Sequence, residues 1–469
     1  MQGKESKREL KISKFVHIFK SKNYYSLFHS LLFELIYIDQ NSIELIEKFN
    51  DGLSLNEIEN NFPSLINSQN LLLVENLIKS SLICSEQYDI QLLEKTRHKF
   101  TGKPRINLMY LILTDECNFR CKYCFVEQLI PDNHKSIYMT EEVAKASIDL
   151  FTGLSGKTAS PSIIFYGGEP LLNIDVFEYS LVYINKMISM GQLPQDTKIS
   201  IVTNGSCVTP RVIDLVKEHN VSISISLDGP QEIHDNARLT TGNRGTFLLA
   251  YNAIQRIKDA GLNPGISCTI SKFNYQQLEE INTWLVNDLH INGLGYNLPH
   301  SNPTFPDNEE ITRIATKKLI KIYETNRKLG VYEDRMMRKV KSFVQKKIHA
   351  YDCAGCGQQL VISPEGLVGV CHAFLGNKKY FIDSIDNLIG FDPVENSVFT
   401  EWSKRSPLNM EECLGCPALG ICGGGCPANA YFNDGDIWSI DKEYCSHSLQ
   451  ILDWIISDLS KKDNTTYLQ

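Results

Sequence analysis

The 469-residue chain predicts an α/β protein: a partial (β/α)6 barrel, open on one side, between a small N-terminal α+β domain and a C-terminal cysteine-rich domain. Three observations carry this prediction. From Ile106 onward, short β-rich apolar runs alternate with longer stretches whose apolar residues recur three and four apart, the pattern of a parallel sheet built from βα units. The chain is too long for one ordinary core. After Asp352 the composition shifts to cysteine and glycine, and eleven of the 14 cysteines fall into dense groups.

Residues 1–100 show mixed helical patterns, few glycines and a turn-rich break at Asn61-Phe62-Pro63-Ser64, which sets them apart as a domain. Their most apolar stretch, Tyr24 to Ile38, is interrupted by His29 and Glu34. It falls short of the roughly 20 residues that cross a bilayer and reads as a buried helix. The barrel is expected over 105–300. Its strands are Asn107 to Leu113, Ser162 to Phe165, Lys198 to Val202, Val221 to Ser226, Gly265 to Ile270 and Ile291 to Asn297. Helical patterns cover Thr140 to Thr152, Pro210 to His219, Thr246 to Ala260 and Tyr275 to Leu289. A helical bridge follows over 301–350, in which Lys317 to Lys347 carries eleven Lys/Arg against three acidic residues. It reads as a solvated face or as a docking surface for an acidic peptide. The cysteine-rich unit spans 351–448, and a helix and tail close the chain over 449–469.

A net charge of -8 argues against a nucleic-acid partner. The polar N-terminus lacks an apolar signal region, so neither secretion nor a membrane anchor is expected. Densely spaced cysteines in such a chain indicate metal ligation in a reducing compartment, which places the protein in the cytoplasm. Cys84, Cys207 and Cys268 stand singly in apolar or strand-like segments and read as small buried hydrophobes.

Barrel enzymes carry their chemistry on loops at the carboxyl ends of the strands. Cys117, Gly167, Asn204 and Asp228 follow strands one to four, so independent segments converge on one face. Cys117, Cys121 and Cys124 form a CxxxCxxC loop: three thiolates ligate three irons of a [4Fe–4S] cube and leave the fourth open to a small chelating molecule. Structural zinc wants four closed ligands, and this loop holds no fourth Cys or His. Downstream, Cys353, Cys356, Cys371, Cys413, Cys416, Cys422, Cys426 and Cys445 supply eight thiols. They suffice for two four-thiolate cubes, or for zinc ribbons.

Thr114-Asp115-Glu116-Cys117-Asn118-Phe119-Arg120-Cys121-Lys122-Tyr123-Cys124-Phe125 closely resembles the signature loop of radical S-adenosylmethionine (SAM) enzymes, whose core is a partial TIM-like barrel. The resemblance implies that SAM chelates the open iron and is cleaved by one electron to methionine and a 5′-deoxyadenosyl radical, with Phe125 against the adenine. Tyr166-Gly167-Gly168-Glu169-Pro170 resembles the family's GGEP segment. There Gly167 and Gly168 let backbone carbonyls approach the SAM ammonium, and Glu169 adds a counter-charge. Asn204, Ser226 and Arg238 match segments that in relatives line the SAM ribose and carboxylate.

The later cysteines are similar to the SPASM extension of these enzymes, CxnGx4C followed by Cx2Cx5Cx3C and one more Cys. The resemblance implies three [4Fe–4S] clusters in all. It assigns Cys413, Cys416, Cys422 and Cys445 to an outer auxiliary cluster, and Cys371, Cys426, Cys353 and Cys356 to an inner one. If one of Cys353 and Cys356 is a bystander, the inner cluster keeps an iron open to a substrate thiolate. Enzymes of this build act mostly on peptides or proteins. The expected partners are therefore a precursor peptide of leader plus core, with residues 1–100 recognising the leader, and an electron donor such as a flavodoxin or ferredoxin.

The expected reaction is hydrogen abstraction from a core residue and an intrapeptide crosslink, first of all a cysteine thioether. Alternatives are carbon–carbon crosslinking, formylglycine formation as in anaerobic sulfatase maturases, and a zinc-binding scaffold. Sulfatase maturases carry an aspartate base where this chain has Cys371-His372. His372 reads as a near-neutral base, a donor to a cluster sulfur or a structural residue, and no catalytic residue is assigned.

Overall fold

The computed structural model describes residues 10–463 apart from 22–23, 41, 127–128, 131–132, 156–159, 302–307 and 389. Near the N-terminus β1 (Lys11–Ile12) pairs antiparallel with β5 (Ile83–Cys84). Strands β2 (Val16–Lys20), β3 (Tyr25–His29) and β4 (Leu35–Ile38) form an antiparallel meander. Four helices, Ile43–Asn50, Leu55–Asn61, Ser68–Lys79 and Glu86–Phe100, complete this unit. The second starts at a capping box in which Ser54 and Glu57 satisfy each other's backbone N–H groups.

The segment Tyr24 to Ile38, expected as a helix, is instead the β3–β4 hairpin. Both of its faces are covered, so no polar alternation marks it as strand and its apolar run imitates a helix. Leu27 and Ile38 face the N-terminal core with Leu45, Ile46 and Phe49. Phe28 and Phe33 turn the other way into the main core, where Phe28 stacks on Phe343 at 5.4 Å between ring centres.

The central sheet has ten strands: β6 (Leu108–Ile112), β7 (Ser162–Tyr166), β8 (Lys198–Thr203), β9 (Ser222–Ser226), β10 (Gly265–Thr269), β11 (Gly293–Asn297), β12 (Tyr332–Glu333), β13 (Gln359–Ile362), β14 (Leu367–Gly369) and β15 (Phe381–Ser384). Their spatial order is β12-β11-β10-β9-β8-β7-β6-β13-β14-β15. The first six are the expected barrel strands, parallel throughout. Alternate residues such as Met109, Leu111, Ile163, Phe165, Ile201, Ile225 and Cys268 are buried in the main core. Tyr110, Tyr166, Ser226, Ser267, Thr269 and Asn297, at the opposite parity, line the barrel's interior cavity. The helix pattern ending at Leu289 becomes a helix, Leu278–Thr283, prolonged by one π turn, Trp284–Asp288. A long helix absent from the expectation, Ile174–Ser189, covers the β7–β8 crossover.

The cysteine-rich region does not begin as a separate body. Its strand β13 continues the barrel sheet, pairing parallel to β6 with Leu360 opposite Met109 and Val361 opposite Tyr110. An open barrel leaves the outer edge of its first strand unpaired, and this fully buried strand satisfies it. The bridge is helical as expected, in helices Glu309–Leu329 and Asp334–Val344. Its charges are not all solvated, because Arg335 and Lys339 are buried. The last helix, Lys442–Asp463, begins before the anticipated position. It packs on Glu309–Leu329 through the bidentate pair of Arg327 with Asp458 at 2.9 and 3.0 Å. Among the described residues no helix is long and apolar enough to cross a membrane.

Inside the N-terminal unit His29 accepts from the backbone N–H groups of Leu31 and Leu32 at Nδ1. Its Nε2 meets Ser13 Oγ at 3.3 Å, and Ser13 donates to Asp89 at 2.7 Å. Burial pushes His17 and His29 down to about 4. Unfolded histidine takes up its proton near pH 6.5. Between those values the unfolded chain binds more protons, so stability falls as the pH drops through that window. The thermal midpoint of the N-terminal unit should fall between about pH 6.5 and 4, and His29→Asn should weaken that dependence. A pH series of melting curves checks it.

Candidate active site

The carboxyl ends of β6 to β11 open into a cavity of about 640 Å3. Cys117, Cys121, Cys124, Phe125, Gly167, Gly168, Asn204, Ser226 and Arg238 all line it, and His372 and Tyr444 of the cysteine-rich region close one side. Of the residues expected to meet SAM, Glu169 alone stays out of the cavity wall.

The cysteine loop follows β6 and is stapled from both flanks. Asp115 accepts from Ile137 N at 2.8 Å and pairs with His134 at 2.7 Å. Arg120 N and Lys122 N donate to the carbonyls of Leu239 and Ala237 at 2.7 and 3.0 Å. The end of β7 locks the loop from behind, with Gly168 N on Thr114 O at 2.9 Å and Glu169 N on Glu116 O at 2.8 Å. The approach leaves no room for side chains: a Cβ on Gly167 would lie 2.3 Å from Thr114 O, and one on Gly168 2.1 Å from Glu116 O. These glycines are required by the protein's own backbone, whatever they also do for a ligand.

Glu169, expected as a counter-charge at the SAM ammonium, is engaged by the protein's own donors. It is fully buried. Its carboxylate accepts from Thr203 Oγ1 at 2.7 Å, Asn204 N at 2.7 Å and Leu171 N at 3.1 Å. Burial raises it to about 7 against the pull of those three donors. Glu169 thus ties the end of β7 to the end of β8 and aims Asn204. That amide donates to Asn118 Oδ1 at 3.0 Å and lies 3.9 Å from Cys117 Sγ.

Arg238 is clamped by Asp228, with Nε to Oδ2 at 2.9 Å and Nη2 to Oδ1 at 3.1 Å. Tyr123, from within the cysteine loop, donates to the same carboxylate, and its ring lies 5.4 Å from the guanidinium. Arg238 holds the Asp228 carboxyl below the usual carboxylate range despite complete burial. The result is a rigid cation on the cavity wall, suited to a carboxylate.

Phe125 packs between His300 and His372, at 5.3 and 5.8 Å between ring centres. His372 also meets Tyr110 at 4.7 Å and Tyr166 at 5.2 Å. Burial pushes it down to about 4, so a near-neutral base is not what this environment makes of it. Its Nδ1 has no hydrogen-bond partner. Tyr110, His300, Arg335 and Tyr444 line the cavity unannounced by any motif, and Tyr166 lines it from the start of the GGEP segment. Strand parity marks Tyr110 and Tyr166 as inward-facing; His300, Arg335 and Tyr444 arrive through long-range packing that leaves no local signal.

All 14 cysteines are free thiols. Eleven of them assemble in three sets whose members lie within electrostatic reach. Cys117 feels Cys121 and Cys124. Cys353, Cys356, Cys371 and Cys426 interact in a closed ring of pairs. Cys413, Cys416, Cys422 and Cys445 do the same. Cys84 and Cys268 are buried and Cys207 half-buried, apart from these sets. Among the described residues no three His, Cys, Asp or Glu groups converge on a single ion. Cysteine thiolates are ligands for iron–sulfur clusters and for zinc alike. Burial raises these thiols, so a metal bound there would have to displace their protons.

A three-thiol loop facing a cavity at the mouth of an open parallel barrel, with a clamped cation opposite, defines a SAM-cleaving radical enzyme. Residues 111–285 match the Radical SAM superfamily. Over 463 residues it is 27% identical to the radical SAM cyclopropyl synthase TigE of Paramaledivibacter caminithermalis, covering 93% of this chain and 94% of that protein. A serine-type anaerobic sulfatase-maturating enzyme of Bacteroides thetaiotaomicron is 27% identical over 163 residues, 34% of this chain and 38% of its own length. Among solved structures, anSMEcpe with bound AdoMet superposes with a TM-score of 0.64 at 19% identity, over 76% of this chain and 99% of that one. SuiB of Streptococcus suis bound to S-adenosylmethionine gives 0.53 at 15% identity, over 93% and 99%.

Gly168→Ala should force the β7 end off the cysteine loop. After reconstitution that variant should lose the iron of the Cys117 set while keeping the rest, as iron analysis and loss of SAM cleavage would report.

Proposed function

We propose that the protein is a peptide maturase that closes a ring within a precursor peptide, and that the bond it makes joins two carbons. The observation that carries the choice of bond is the completeness of the inner auxiliary set. With Cys353, Cys371 and Cys426 in reach of one another and Cys356 in reach of Cys353 and Cys371, four thiolates are at hand to saturate a cube. No iron is left for a substrate sulfur, which is what a thioether made through sulfur ligation needs. The similarity over nearly the whole chain to a protein named as a cyclopropyl synthase supports the same direction.

The peptide class of the substrate rests on several supports. Solved relatives of this fold include anSMEcpe with a bound Cp18Cys peptide and SuiB bound to the precursor peptide SuiA. Among the described residues β4 pairs as a strand with β3 alone, and a sheet edge of this kind can accept an added peptide strand from a leader.

When bound, SAM and the cluster at Cys117, Cys121 and Cys124 supply a 5′-deoxyadenosyl radical at the cost of one electron from a flavodoxin- or ferredoxin-like donor. In this reading Arg238 would hold the SAM carboxylate, Asn204 and Ser226 its ribose, and Phe125 its adenine, all four lining the cavity. Ring closure removes two hydrogens from the peptide. One leaves as an atom to the deoxyadenosyl carbon and the other as a proton, and the remaining electron passes to the auxiliary clusters. Tyr110, Tyr166, Phe125 and His372 wall the cavity with rings that keep water from the reacting carbon.

The test pairs the enzyme with the short peptides encoded beside it. A product lighter by two hydrogens, whose cysteines still alkylate fully, supports a carbon–carbon bond. Loss of one alkylatable thiol would instead establish the thioether, and an aldehyde at a Cys or Ser the sulfatase-type reaction. Replacing Cys117, Cys121 and Cys124 together by Ala should abolish SAM cleavage and leave auxiliary iron in place; retained cleavage would refute the assignment of that loop.

A further inference from the structure

Arg405 has no solvent exposure. It follows the helix Ser397–Lys404, and its side chain runs into the middle of the cysteine-rich region. Each of its three nitrogens donates to a backbone carbonyl: Nε to Ile437 O, Nη1 to Gly424 O at 2.7 Å and Nη2 to Ser439 O at 3.1 Å. Among the described residues no carboxylate pairs with it. The buried acids of the region are committed elsewhere. Asp352 faces Lys339 and Arg335, Asp441 takes Cys426 N and Tyr444 N, and Glu443 takes Ser301 and Asn429.

Carbonyl dipoles satisfy the donors of a guanidinium but do not cancel its charge. A dry cation without a counter-ion is among the costliest features a fold can carry. Its surroundings name the missing anion. Gly424, which accepts from Nη1, is the centre of the Gly423-Gly424-Gly425 link joining Cys422 of the outer set to Cys426 of the inner one. Nη1 is thus held at 2.7 Å from the backbone that joins the two sets. By contrast Lys339, buried nearby, has Asp352 as its carboxylate at 3.2 Å.

We infer that Arg405 is the shared counter-cation of the two auxiliary clusters and raises their reduction potentials. The inference rests on the reading of these eight cysteines as two iron–sulfur sites. One-electron reduction adds a negative charge to a cube already carrying four thiolates, and net charge near the cluster sets its potential. A fixed cation between the two sets stabilises both reduced forms. It thereby makes the pair a better acceptor for the electron that the peptide gives up when its ring closes, the accompanying proton going to solvent.

The test is a redox titration of the anaerobically reconstituted full chain, followed by electron paramagnetic resonance, on the parent, Arg405→Gln and Arg405→Lys. The parent must hold about twelve irons; about four would refute the auxiliary assignment itself, a failure separate from that of Arg405. With a loaded parent, Arg405→Gln should lower the reduction equilibrium constant of the auxiliary clusters at least about tenfold, each tenfold being about 59 mV for one electron. The Cys117 cluster should not move, and Arg405→Lys should stay within about threefold of the parent. A loaded Gln variant with parental potentials, or a Lys variant shifted as far as Gln, would overturn the inference. Should the Gln variant fail to hold auxiliary iron, the Lys variant decides. Full loading at the parental potential supports the counter-cation, whereas loss of iron or a shifted potential refutes it.

Discussion

The site depends first on two glycines that let one backbone lie against another. Gly167 and Gly168 bring the end of β7 so near the cysteine loop that a Cβ on either would meet a carbonyl oxygen at 2.3 or 2.1 Å. The two N–H···O bonds made there set the loop on the barrel. From that contact the rest follows in sequence. Glu169 is drawn inward to Thr203 and Asn204, Asn204 is turned toward Cys117, and Tyr123 reaches Asp228, which clamps Arg238. A site assembled this way meets its ligands already organised, so little ordering has to accompany binding.

What could be read in the linear sequence was what local spacing determines. The six barrel strands appear where the alternation of β-rich runs placed them; the sharing of the later cysteines between an inner and an outer set came from family resemblance, not from spacing. Tyr24 to Ile38 was misread because a strand covered on both faces loses the period that identifies it. The pairing of β13 with β6 joins residues some 250 positions apart, such as Leu108 and Gln359, and no local signal announces it. Glu169 shows a different limit. Its motif was visible, but the direction of its side chain depends on donors supplied by β8, a neighbour in space only.

Charge in the interior divides between two arrangements. Around Asp352, cations and anion neutralise one another: Lys339 at 3.2 Å and Arg335 at 3.5 Å converge on one carboxylate, with His349 Nε2 3.4 Å from it. The same Lys339 donates to Cys422 O at 3.0 Å, so this network also positions a thiol-bearing backbone. Arg405 lacks such a partner. Buried charge left unneutralised by protein is a sign that something other than protein completes the region.

The uninterrupted sheet has a consequence for how such proteins can be recombined. Because β13 is the neighbour of β6, the cysteine-rich region is not a bead on a flexible string, and its first thiols precede a strand in fixed register with the barrel. A chimaera that exchanges this region between relatives must carry the β13 edge with it, in register. A junction placed in the bridge alone would import foreign side chains into the seam between two strands. Modular evolution here is therefore limited to partners whose first barrel strand presents the same edge.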